Sequence, residues 1–142
     1  MLLTNHTLTG IALGLTIDDV EVLAPTAIAS HFVLDSVPHF GDKCLSFDKP
    51  LGRIWAAIDC SVALTLAVAS VFVFPHRFLH LFIGVVGATV PDLLYIPKYL
   101  FHKIFWKPLF DFHHIIQTER LWLFPVELIW AASMLTVINV YR

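Results

Sequence analysis

IWAAIDCSVALTLAVASVFVF, from Ile54 to Phe74, is apolar almost without interruption and carries a single charged residue, Asp59. At about 1.5 Å of rise per residue, a helix of this length crosses the roughly 30 Å hydrocarbon core of a bilayer, and Pro75 ends it. The composition around it agrees. The chain has 142 residues, 58% of them hydrophobic and 14% charged, with a mean hydropathy of +0.78; a soluble domain carries about 25% charged residues. This predicts one integral membrane domain over residues 1–142. A net charge of −2 argues against a nucleic-acid partner. The opening MLLTNH lacks the basic leader of a signal peptide, so the first helix is expected to be retained. Nothing in the spacing of Cys44 and Cys60 recommends a disulfide.

Working outward, a second apolar segment runs from Phe78 to Ile96, interrupted by Pro91, and a third from Leu121 to Val140, broken near its start by Pro125. Trp55, Trp122 and Tyr141 lie near segment ends, as interfacial aromatics do. The stretch from Thr7 to Ile17 is apolar but short for a span, and the chain turns apolar again from Val20 to Val37. A helical hairpin turning at Asp18-Asp19 follows, its arms packed through Gly10-x-x-x-Gly14. Between Lys98 and Arg120, aromatics interleave with Lys98, Lys103 and Lys107, the pattern of a segment lying on the membrane surface. The expected architecture is all-α: a polytopic membrane bundle of about five helices with one amphipathic surface segment.

Ionisable residues are expensive near a bilayer, and here they collect at one end of such a bundle. His6 opens the first helix; His31, Asp35 and His39 fall on the last turns of the second. Asp59 lies little more than a turn into the third, Asp92 near the end of the fourth, and His113 on the surface segment. His31 and Asp35 are spaced i, i+4 and share a helical stripe. Pro38 bends the chain at His39, and Pro91 loosens the helix before Asp92. Imidazoles and carboxylates together are the usual ligands of a divalent metal. His6, His31, Asp35, His39, Asp92 and His113 are therefore the candidate ligands, with zinc expected first and manganese or magnesium as alternatives.

With an ion in place, Asp92 and Asp59 are the carboxylates expected to act in catalysis, and two ions bridged by Asp35 or Asp92 also fit the pattern. Such an arrangement suits phosphoester cleavage. The bland reading is a hydrogen-bonded network that fixes helix packing, at about 0.6 kcal/mol per contact. Glu127 reads as a support for the ligands or a helix cap; His76, His80 and His102 read as interfacial, and Asp111 and Glu119 as solvated.

Lys43, Lys49, Arg53, Lys98, Lys103, Lys107 and Arg120 fall on the side of the cluster, and Arg77 and Arg142 on the other. The positive-inside rule then puts the site at the cytoplasmic face, where these residues also meet anionic headgroups; membrane lipids are the expected partners.

Three stretches carry a family resemblance: NHTLTGIALG around His6, SHFVLDSVPHF from Ser30, and GATVPDLL from Gly87, followed by FHHII at His113. In these the chain resembles the membrane-bound metal-dependent hydrolases of bacterial inner membranes, in their small variants with an S-H-x-x-x-D-x-x-P-H signature. Where that family often continues its P-D motif with another Asp and a His, this chain has Leu93, Leu94 and Tyr95. The resemblance implies a multi-pass inner-membrane protein that hydrolyses a lipid-linked or phosphoester substrate. The alternative is a non-enzymatic membrane protein, a small transporter, metal carrier or scaffold, using the same cluster.

Overall fold

The structure is a computed structural model that describes residues 1–40, 49–94, 104 and 106–142. Lys43, Cys44, Lys98, His102 and Lys103, on which part of the sequence reading rests, lie outside the described residues. Six α-helices make the fold: α1 Leu3–Thr16, α2 Val20–Ser36, α3 Pro50–Val73, α4 Phe78–Leu93, α5 Lys107–Ile116 and α6 Phe124–Val140. Short 3-10 turns at Pro75–Arg77 and Leu121–Leu123 lead into α4 and α6. Among the described residues there is no strand, only an isolated bridge between His39 and Glu119.

Helix α1 is the axis of the molecule. Asn5 to Ala12 are all buried, because α2, α3, α4 and α6 pack around it. Its tightest neighbour is α4. A Cβ built on Gly10 would stand 2.5 Å from the Gly84 carbonyl oxygen and 2.7 Å from Val85 Cα; one on Gly14 would stand 2.6 Å from the His80 carbonyl oxygen. Backbone meets backbone there, which only glycine allows. The Gly10-x-x-x-Gly14 pair thus joins α1 to α4 rather than the two arms of the hairpin as expected. The hairpin itself forms at the acidic pair, where Asp19 accepts a hydrogen bond from Glu21 N at 2.8 Å and caps α2.

Helix α2 buries Leu23, Ala27, His31, Leu34 and Asp35, one stripe at helical spacing. The stripe lies against α4, whose Gly87 comes so close that an added Cβ would stand 2.8 Å from Ala27 Cβ. The site residues of α2 are therefore a continuation of its packing face.

Helices α3 and α6 are the outer ones. Pro50–Val73 (24 residues, mean hydropathy 2.1) and Leu121–Val140 (20 residues, mean hydropathy 1.8) are long and apolar enough to cross a membrane, and only 11% of each apolar window is buried in the protein. Apolar side chains this exposed need an apolar surrounding. Helix α3 starts at Pro50, four residues before the expected Ile54, with the proline in its first turn where no intrahelical N–H is needed. Pro125 likewise opens α6 instead of breaking it, and α4 runs through Pro91 to Leu93. Helices α1, α2 and α4 have 14, 17 and 16 residues, short of the roughly 20 of a spanning helix.

Polar contacts hold the assembly at both ends of α1. At its C-terminal end the Arg77 guanidinium donates to the Leu15 carbonyl at 2.8 Å and pairs with Asp18 at 2.6 Å, complementing the helix dipole. Midway, Trp130 Nε1 donates to Thr9 Oγ1 at 2.9 Å, and that hydroxyl donates on to the Asn5 carbonyl.

Candidate metal centre

At the other end of α1 the polar residues gather. The first turn of any helix leaves backbone N–H groups without intrahelical partners, and Leu2, at the cap position of α1, has no side chain to satisfy them. Neighbouring helices supply the acceptors. Asp59 of α3 accepts from Leu3 N at 2.7 Å, Thr4 N at 3.0 Å and Thr4 Oγ1 at 2.6 Å. Glu127 of α6, buried, accepts from Leu2 N at 3.2 Å and Asn5 Nδ2 at 2.6 Å, and also from Phe40 N at 3.1 Å. Asp59 was expected to act in catalysis; both its oxygens are instead engaged in capping α1.

One turn further into the protein, four side chains from three helices meet: His31 and Asp35 from α2, Asp92 from α4 and His113 from α5. Their ligand atoms all lie within 4.8 Å of one another. His31 Nε2 is 2.9 Å from His113 Nε2 and 3.2 Å from Asp35 Oδ2; His113 Nε2 is 2.5 Å from the same oxygen. Asp92 Oδ1 stands 3.7 Å from both nitrogens. For metal–nitrogen and metal–oxygen bonds of about 2.0–2.1 Å, the edge of a tetrahedron is about 3.3 Å, and the observed spacings bracket it.

The direction of the lone pairs agrees with the spacing. His31 Nδ1 lies 2.9 Å from the Ala88 carbonyl oxygen, which can only accept, so Nδ1 carries the proton and a neutral ring turns the Nε2 lone pair inward. A backbone partner of this kind is the usual way a metal-ligating histidine is oriented. His31, Asp35 and His113 are buried; the Asp92 side chain is 31% exposed and marks the open side of the cluster.

His6 stands beside the group on the other oxygen of Asp35, its Nε2 3.1 Å from Oδ1 and its ring stacked on His31 at 4.1 Å. Its buried Nδ1 has no hydrogen-bond partner. The Met1 amino group reaches the same Oδ1 at 2.5 Å. His39 is buried but separate from the four: Nδ1 donates to the Val37 carbonyl at 2.8 Å, while its backbone pairs with Thr118 O and Arg120 N. Burial, with the positive Met1 amino group nearby, pushes its pKa down to about 4.

Of the six expected ligands, the structure therefore gathers His31, Asp35, Asp92 and His113, places His6 behind Asp35, and uses His39 to tie the chain after α2 to the chain after α5. His76 and His80 lie at the opposite end, and His114 faces outward. Asn5 and the Ala88 carbonyl were not anticipated. Asn5 is the residue before His6 and had only that adjacency to mark it; a backbone carbonyl leaves no mark in a sequence.

No family model, curated protein or solved structure matches this chain.

Proposed function

We propose that the chain is a multi-pass inner-membrane protein, a five-helix bundle with α5 on the membrane surface, that binds a divalent ion, zinc foremost, and uses it to hydrolyse a lipid-linked or phosphoester substrate at the cytoplasmic face. One observation carries the reading. Three buried ligands, His31, Asp35 and His113, stand 2.5–3.2 Å apart, and a fourth carboxylate, Asp92, sits looser at 3.7 Å and partly exposed. Three protein ligands with an adjacent open position is the pattern of catalytic rather than structural zinc sites.

The bound ion would supply Lewis acidity. His31, Asp35 and His113 hold it; Asp92, on the accessible side, accepts a proton as general base and orients what enters. Asp59 keeps the end of α1 in place. The depth of the site supports a lipid-derived substrate: Asp59 lies nine residues past Pro50, about 14 Å along the spanning helix α3, so the cluster stands below the level of the helix ends. Lys49, Arg53, Lys107 and Arg120 lie in or next to the N-terminal turns of α3, α5 and α6 on this side, against Arg77 and Arg142 on the other, which supports the cytoplasmic orientation. The motif resemblance noted in the sequence supports the same class.

The test is metal analysis of the purified protein together with turnover of phospholipid and lipid-phosphate substrates. His31→Ala is expected to lose the ion; Asp92→Asn is expected to keep it and lose turnover. Metal binding without turnover in the wild type would replace the hydrolase by a metal carrier. Absence of metal from the wild type would end the reading.

A further inference from the structure

Helix α5 divides into three sectors at about 100° per residue. Leu109, Phe110, His113 and Ile116 form the sector turned to the protein; Pro108, Phe112 and Ile115 form an exposed apolar flank, and Lys107, Asp111 and His114 a polar one. Ile115 is 80% exposed and Phe112 50%, its ring edge resting on Phe32 at 5.5 Å. A helix with one flank on protein and another on water has no need of a third, apolar one unless that flank meets lipid.

The occupant is identified by continuity. Four residues after α5, the exposed Leu121 and Trp122 lead into α6, whose exposed Leu128 and Ile129 belong to the membrane-crossing stretch Leu121–Val140. The apolar flank of α5 is thus the first part of a surface that passes without a polar break into a candidate span. Lys107 and Asp111, paired at 2.5 Å, close the polar flank against water.

We propose that this flank of α5 docks into the lipid bilayer, and that lipid docking and metal binding are coupled because the same helix carries His113. The coupling rests on the metal reading above. Among the described residues, α5 packs on α2, and its side chains reach the cluster through His113. Seating Phe112 and Ile115 in lipid holds α5 down and keeps His113 beside Asp35. Binding an ion through His113 holds α5 down and keeps the flank in lipid. Two ligands that favour one position of a helix strengthen each other by the same factor.

The experiment uses the full chain in nanodiscs of phosphatidylethanolamine and phosphatidylglycerol, titrated with Zn²⁺, with amide hydrogen exchange followed over residues 107–116. In the wild type, Zn²⁺ is expected to slow exchange in this segment. Phe112→Ser with Ile115→Ser is expected to speed exchange without metal and weaken Zn²⁺ binding about tenfold. Ile115→Trp is expected to do the reverse, which a merely damaged fold would not, and His114→Ser on the polar flank is expected to leave both unchanged. Wild-type affinity and exchange in both Phe112/Ile115 variants would overturn the coupling while leaving the metal site standing. A wild type that binds no Zn²⁺ would overturn both.

Discussion

His31 Nε2 and His113 Nε2 lie 2.9 Å apart, and with His31 Nδ1 committed to the Ala88 carbonyl the two rings share what stands between them. Two lone pairs do not face each other at that distance without a positive charge. In the metal-free cluster a proton shared among the two nitrogens and Asp35 Oδ2 supplies it; a divalent ion replaces that proton. Binding is expected to release about one proton per ion and to tighten about tenfold per pH unit while the cluster still holds its proton. Calorimetry in two buffers of different ionisation enthalpy measures the release. An affinity independent of pH would show that the ion binds elsewhere.

Asp59 is expected to matter for stability and not for metal. Its carboxylate accepts two backbone N–H groups and a hydroxyl at the start of α1, so Asp59→Ala leaves those donors unpaired in a half-buried place. The cost is about 2 kcal/mol, in the range of a lost helix cap. Metal content in Asp59→Ala should match the wild type while its thermal midpoint in detergent falls. Loss of metal at an unchanged midpoint would return Asp59 to the site.

That contrast between Asp59 and Asp92 shows where the sequence stops being legible. The i, i+4 pair His31–Asp35 follows from helical spacing alone. Asp92 and His113 follow from tracing helices to one end of a bundle, because up-down topology fixes which end a residue reaches. Asp59 reaches the same end by the same rule, yet its partner is decided by where α1 begins along α3. A short helix can start at any height beside a long one, and apolar periodicity carries no information about that offset. The same limit applies to Gly10 and Gly14: their spacing shows a close crossing but not with which helix. Glu127, read as a cap or a support, is a cap for donors on α1 and on the chain after α2.

The helix crossings can be tested against each other. At Gly84 an added Cβ meets the Gly10 carbonyl, so Gly84→Ala strikes backbone and no neighbouring side chain can yield. At Gly87 it meets the Ala27 methyl at 2.8 Å, which a second substitution can remove. Both single variants are expected to lose about 1–3 kcal/mol. Ala27→Gly should restore much of the loss in Gly87→Ala and none of it in Gly84→Ala, a difference that a double-mutant cycle of thermal stability reads directly. Equal rescue would show that α1 and α4 separate more easily than their backbone contact implies.

His39 makes a prediction about acid. Its ring is buried with a pKa pushed down to about 4, against about 6.5 in the unfolded chain. Above pH 6.5 both states are neutral and the residue costs nothing. As pH falls from 6.5 toward 4, the unfolded chain takes a proton that the folded one refuses, and stability falls by about 1.4 kcal/mol per unit, some ~3 kcal/mol in all. Below pH 4 both states are protonated and the loss stops growing. His39→Gln keeps a donor for the Val37 carbonyl and cannot titrate, so its stability should decline less steeply over this window. Thermal midpoints of the two proteins from pH 4 to 7.5, taken with a chelator so that proton release by the metal cluster does not add to the slope, give the comparison. Identical slopes would mean that His39 is protonated in the folded protein, which its buried place between the ends of α2 and α5 does not allow.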